Sequence, residues 1–197
     1  MSTLDELLEE AKIAHGHLCA GQVLGVRMAM LGLEKLGLDD PRGKDRKRLV
    51  TYVEIDRCAT DAVAVVTGCR LGKRALKFRD WGKMAATFVD LETGRAVRIA
   101  ARESSKQKAR ELHPEIESKN QQQMLAYREM PDDDLFTTEW VKVELLPEEF
   151  PGYKADRIVC AQCGEGINFH REVIHDRKIL CRSCAGESYY SVLQGAL

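Results

Sequence analysis

The chain has 197 residues, 44% hydrophobic and 31% charged, with 30 basic residues against 31 acidic and a formal net charge of −1. That length suits one medium domain with a small appendage. The charge balance excludes bulk electrostatic binding to nucleic acid or an anionic membrane, and no run reaches the roughly 18 apolar residues of a membrane span. The acidic start shows no signal segment, so a cytoplasmic protein is expected. Its seven cysteines then read as metal ligands, reactive thiols or core side chains, not as a disulfide framework.

Residues 3–14 place apolar side chains at 4, 7, 8 and 11 between acids, an amphipathic helix capped by Ser2 or Thr3. Residues 15–19 form a connector. Residues 20–36 follow as a second helix, apolar nearly all round and hence deeply buried. Gly21 and Gly25 share one of its faces and admit a second backbone. Residues 49–55 alternate as a strand, and residues 59–67 form a short buried helix closed by Gly68. Strands are expected over 74–80, 85–92 and 95–101, the last two joined by the turn Thr93-Gly94. Two polar helices cover 103–113 and 114–129, and residues 137–146 are a final strand. The segment 147–152 carries two prolines and a glycine, a linker. The boundary is therefore placed between an α+β core, residues 1–150, and a C-terminal domain, residues 151–197.

Within that C-terminal domain, Cys160 and Cys163, then Cys181 and Cys184, form two C-x-x-C pairs. The spacing matches a tetrahedral structural zinc site, because each tight turn delivers two thiolates to one ion. A knuckle, a hairpin and a second pair opening a helical tail over 185–193 resemble a treble-clef zinc finger. His170 and His175 read as surface residues, since four thiolates fill the tetrahedron. The near-neutral balance of this region lacks the basic footprint of a duplex binder. Docking or dimerisation is the expected role.

The core holds a second set of chemistry-bearing residues. His15, His17 and Cys19 alternate along the connector, and Cys19 precedes the buried helix. Cys58 stands before the next helix, with Asp61 in its first turn. Both thiols are expected to gain from helix N-termini as thiolates and to meet across a cleft with His17, in a second metal site or a nucleophilic one. The plain alternative is packing, since cysteine is among the most buried residue types. Cys69 reads as a core residue or a supporting thiol. Residues 70–83 are the strongest basic cluster, in which Lys73 and Arg74 are candidate contacts for an anionic cofactor; a lysine-protected strand edge is the alternative. Arg27 needs a partner if buried.

The blocks HGHLCAGQVLGVRMA, DRCATDAVAVVTGCRLGKRALKF and GKMAATFVD together resemble the E-subunit family of formylmethanofuran dehydrogenase. The resemblance implies an α+β core, usually dimeric, with an auxiliary zinc finger. It also implies association with a molybdenum- or tungsten-dependent formylmethanofuran dehydrogenase, as in the CO2 reduction of methanogenesis. Carried over by position, the family's site falls on His15, His17, Cys19, Cys58 and Asp61, with Cys69, Gly72 and Lys73 in the adjoining motif. The family pattern has proline after the first cysteine, where this chain has Ala20; proline at a first helical position is a preference, so the helix start should change little. The expected function is a metal-binding accessory protein of such an oxidoreductase system. The alternatives are an independent Cys/His metal-dependent enzyme and a zinc-finger regulatory protein.

Overall fold

The computed structural model describes residues 2–193, in two compact units, Met1–Glu144 and Leu145–Leu197. The first begins with α1 (Leu4–His15), where Thr3 accepts the Glu6 backbone N–H at 3.3 Å and Glu6 accepts that of Thr3 at 2.8 Å. These paired bonds satisfy two N–H groups that a helix start leaves over. α2 (Ala20–Leu36) starts at Cys19, which offers no side-chain cap, and stops at Gly37 with φ 69°.

β1 (Leu49–Val53), α3 (Cys58–Thr67) and β2 (Leu76–Phe78) form one β-α-β crossover, and β2 runs parallel to β1 at the sheet edge. β3 (Ala85–Asp90) and β4 (Ala96–Ala101) pair antiparallel, as do β1 with β3 and β4 with β5 (Phe136–Val141), in the order β2-β1-β3-β4-β5. Alternation along the strands aligns Thr51, Phe88 and Val97 on one face, and α2 packs there. A Cβ on Gly32 would run into the Phe88 ring.

α4 (Ser105–Leu112), α5 (Lys119–Glu129) and α6 (Asp132–Leu135) complete the unit. Arg27 of α2 ties them in: its guanidinium donates to the carbonyls of Tyr127 (2.8 Å) and Met130 (2.5 Å) and to Asp132 (2.5 Å). The charge that needed a partner thus holds helix-end carbonyls left open by α5. α2 is covered within the unit by α1, α3, α5 and the sheet, and Val23, Val26 and Ala29 are fully buried. Burying this helix therefore requires no second copy of the chain, and the expectation of a homodimer keeps only its basis in the family resemblance.

Some elements are shorter than the sequence suggests. The strand expected over 74–80 is confined to β2, because Leu71–Lys73 is a helical turn and Arg74 follows it at φ 58°. The strand expected over 137–146 ends at Val141, where pairing with Ala96 ends.

At the β3–β4 turn, Asp90 is 1% exposed. Arg48 donates to both its oxygens (2.8 and 3.2 Å), Thr93 donates at 2.7 Å and the Glu92 N–H at 3.1 Å. Burial alone raises this carboxyl's pKa, but Arg48, Thr93 and the Glu92 N–H outweigh it and hold the value below 3.8. The charged form is therefore favoured on folding. Its stabilisation is complete above the unfolded pKa and is lost as pH falls through the lower native value. Asp90→Asn is expected to cost about 1–3 kcal/mol at neutral pH. Urea midpoints of wild type and variant should converge on acidification below the unfolded pKa.

The second unit carries two hairpins, β6 (Ile158–Val159) with β7 (Gly166–Ile167) and β8 (Val173–His175) with β9 (Lys178–Leu180). One helical turn follows, Ser183–Glu187, interrupted by Gly186 at φ 102°. The helical tail expected over 185–193 therefore ends at Glu187; residues 188–193 are not helical, and 194–197 lie outside the described residues. Among the described residues, the buried cluster of the unit is Cys160, Ile167 and Leu180, with Cys181, Cys184 and Ala185 against it.

Candidate metal centres

In the second unit the sulfurs of Cys160, Cys163, Cys181 and Cys184 all lie within 4.8 Å of one another, and those of Cys163 and Cys181 are 3.9 Å apart. A tetrahedron with zinc–sulfur bonds near 2.3 Å has edges of about 3.8 Å, so the donor set fits zinc. The first pair sits in the knuckle between β6 and β7, and the second opens the helical turn. Backbone N–H groups reach the sulfurs, Cys181 to Cys160 at 3.2 Å and Cys184 to Cys181 at 3.4 Å. Bonds from the Cys163 and Cys181 backbone lower Cys160 to about 6, whereas the neighbouring Cys181 sulfur, then burial, push Cys184 to about 12. Four crowded thiols cannot all ionise alone, and a dication removes that conflict. His170 bonds the Tyr153 hydroxyl at 2.9 Å and His175 is exposed; neither joins the cluster.

The core places its residues differently. His15, the last residue of α1, contacts Asp61 in the first turn of α3, Nδ1 to Oδ2 at 2.8 Å. That bond fixes the imidazole and leaves Nε2 as its second nitrogen, the arrangement in which a carboxylate orients a metal-ligating histidine. His17 is exposed on the connector, its ring centroid 4.8 Å from that of His15. Cys19, the N-cap of α2, and Cys58, the first residue of α3, are half-buried and close together. A Cβ on Gly21 would lie 3.8 Å from the Cys19 sulfur and 3.4 Å from the Cys58 Cβ.

The helix N-terminus does not win at Cys58. Burial first, then the adjoining Cys19 thiol, raise its pKa, against smaller opposing effects of its own backbone and Arg57. The expectation that the helix start favours thiolate is thus reversed for this residue. Among the described residues, the finger alone groups three or more Cys, His, Asp or Glu ligand atoms within 4.8 Å. The core therefore brings together two pairs, His15 with Asp61 and Cys19 with Cys58, and His17 stays exposed beside the first.

Cys69 is 3% exposed and sits under β1, accepting from Thr51 at 3.5 Å and donating to the Leu49 carbonyl at 3.7 Å. Burial raises its pKa; it is a core thiol. Lys73 is exposed and lies near Cys69, whereas the cation near Cys58 is Arg57. Arg74 is half-buried after the helical turn. Sequence reasoning also missed Asn120 of α5, whose Oδ1 accepts the Ala20 N–H at 3.1 Å. It supplies the cap that Cys19 lacks, from a hundred positions along the chain, and no local pattern signals it.

Residues 14–137 match the family model described as FmdE, molybdenum formylmethanofuran dehydrogenase operon. The chain belongs to the FmdE family. Residues 155–190 match the prokaryotic dksA/traR C4-type zinc finger, which spans all four clustered cysteines. A tungsten formylmethanofuran dehydrogenase E-subunit (FmdE)-like protein from Syntrophus aciditrophicus superposes with a TM-score of 0.65 at 24% identity, over 96% of each chain; it shows that the FmdE-like fold extends to nearly the whole length. A probable S-adenosyl-L-methionine-binding protein from Archaeoglobus fulgidus is 34% identical over 98% of this chain, which spans 56% of that relative. This FmdE-family chain thus combines a mixed helix-and-sheet core with a four-cysteine finger. Among its described residues, no helix is long and apolar enough to cross a membrane.

Proposed function

We propose that this protein is a metal-binding accessory component of a molybdenum- or tungsten-dependent formylmethanofuran dehydrogenase-type system. In this reading its core binds a second metal through Cys19, Cys58 and a connector histidine, and its finger, of treble-clef type, holds structural zinc. The observation that carries the proposal is the approach of Cys19 and Cys58 at the starts of α2 and α3. His15, at the end of α1 and oriented by Asp61, and His17 on the connector stand beside each other. Two soft thiolates and an imidazole suit zinc or iron and leave a coordination position open, which a ligand-exchanging site requires. Lys73 and Arg74 would serve an anionic group only at a distance, since Arg57 is the nearer cation. A homodimer belongs to the same proposal and rests on family membership. The reading as a thiol-dependent enzyme is weaker, because the raised pKa of Cys58 disfavours a free thiolate nucleophile.

Cobalt(II) added to the protein with its finger filled by zinc tests the core site. Sulfur-to-cobalt charge-transfer absorption is expected in wild type and should vanish in Cys19→Ser and Cys58→Ser. Absorption that survives both substitutions would remove the two thiols from the site. For the association, a tagged chain expressed beside the dehydrogenase subunits should retain them through purification, and their loss would leave only the metal-binding part.

A further inference from the structure

The seven cysteines divide into four finger ligands, the buried Cys69, and the pair Cys19 and Cys58, the only half-buried thiols outside the finger among the described residues. This pair is held together by backbone packing. One turn beyond Gly21, a Cβ on Gly25 would lie 2.5 Å from the Ala59 carbonyl oxygen and 2.8 Å from its Cα, so α2 and α3 touch main chain to main chain beside the thiols. Asn120 and the α2 backbone anchor the Cys19 end: Ala20 donates to Asn120, and the Gln22 and Val23 N–H groups to the Cys19 carbonyl at 3.0 and 3.2 Å. His15 is turned to Asp61, and no third ligand atom joins the two sulfurs within 4.8 Å among the described residues. What the core presents is a dithiol in which the Cys19 side chain bonds that of Cys58.

We propose that Cys19 and Cys58 form a reversible disulfide, a thiol–disulfide switch at the mouth of the core. The oxidant is a low-molecular-weight disulfide. One cysteine, as thiolate, attacks a sulfur of RSSR, forming a mixed disulfide and expelling RS⁻, which takes up a proton. The second thiol loses its proton and attacks the protein-side sulfur, expelling the second RSH. Two protein thiols become one disulfide and RSSR becomes two RSH, so two electrons and two protons leave the chain. The new bond joins the starts of α2 and α3. Both sulfurs are then withdrawn from metal binding, a consequence that rests on the function proposed above.

The test uses full-length, zinc-loaded, reduced protein with oxidised glutathione as the probe, followed by alkylation and peptide mapping without reductant. The expected result is a peptide pair crosslinked through Cys19 and Cys58, a mass lower by about 2 Da than the dithiol, and loss of two alkylatable thiols, all restored by dithiothreitol. Cys19→Ser and Cys58→Ser should instead stop at a glutathione adduct on the remaining thiol. A wild-type chain that ends as a stable adduct, or keeps both thiols free, overturns the proposal. Circular dichroism on each variant confirms that it is folded. Core metal is counted in parallel. Crosslinking in a chain that never holds a core metal supports the dithiol and contradicts the metal reading, whereas a core metal without crosslinking does the reverse.

Discussion

Replacing Cys184 by serine is expected to release the finger's zinc and leave the segment 145–197 open to proteases, while the 1–144 unit stays folded. Among the described residues, the second unit's buried cluster is Cys160 with two aliphatic side chains, Ile167 and Leu180, and Cys181, Cys184 and Ala185 pack against it. So small an apolar cluster cannot order the unit by burial, and ligand binding to the four cysteines is coupled to folding. Zinc release is read with a chromogenic chelator and the exposed segment by limited proteolysis. A Cys184→Ser chain that keeps stoichiometric zinc and a resistant second unit would show that the ligands are assigned wrongly.

Gly25→Ala should be strongly destabilising. An alanine there gains up to about 1 kcal/mol of helix propensity over glycine. Its Cβ, however, would stand 2.5 Å from the Ala59 carbonyl oxygen and 2.8 Å from both the Ala59 Cα and the Ala62 Cβ. Two of those neighbours are backbone and cannot rotate away, so α3 must move from α2. Overpacking of this kind costs about 1–3 kcal/mol or more, and the movement also separates the sites of Cys19 and Cys58. Gly21→Ala is the internal control: its Cβ meets nothing nearer than 3.4 Å, so stability should change little. Thermal melts of the two variants give the comparison; equal stability would mean that α2 and α3 do not approach as described.

What was legible in the sequence was local chemistry. α2 could be read to the residue, because Gly37 takes the left-handed conformation at its end and the circumference before it is apolar nearly all round. The finger was legible because two C-x-x-C turns carry their geometry with them, and the four sulfurs cluster. The pairing of β2 was not. The parallel register Thr51 with Leu76 to Val53 with Phe78 is set by the α3 crossover, and a three-residue edge strand leaves little pattern. The role of residues 103–150 was also hidden, since it lies in contacts a hundred positions apart, Asn120 with Ala20 and Tyr127 with Arg27. In the core site, the spacing indicated which residues were chemically able. It could not indicate that His15 would turn to Asp61, or that burial would outweigh the helix start at Cys58.

A second metal in the core would show in the number of metal ions per chain. Full-length protein purified without chelator is to be compared with the Cys19→Ser/Cys58→Ser double variant by elemental analysis against protein concentration from amino-acid analysis. Two ions per chain are expected in wild type and one, the finger zinc, in the variant. One ion per chain in wild type, unchanged by the double substitution, would contradict it and leave Cys19 and Cys58 as a thiol pair alone.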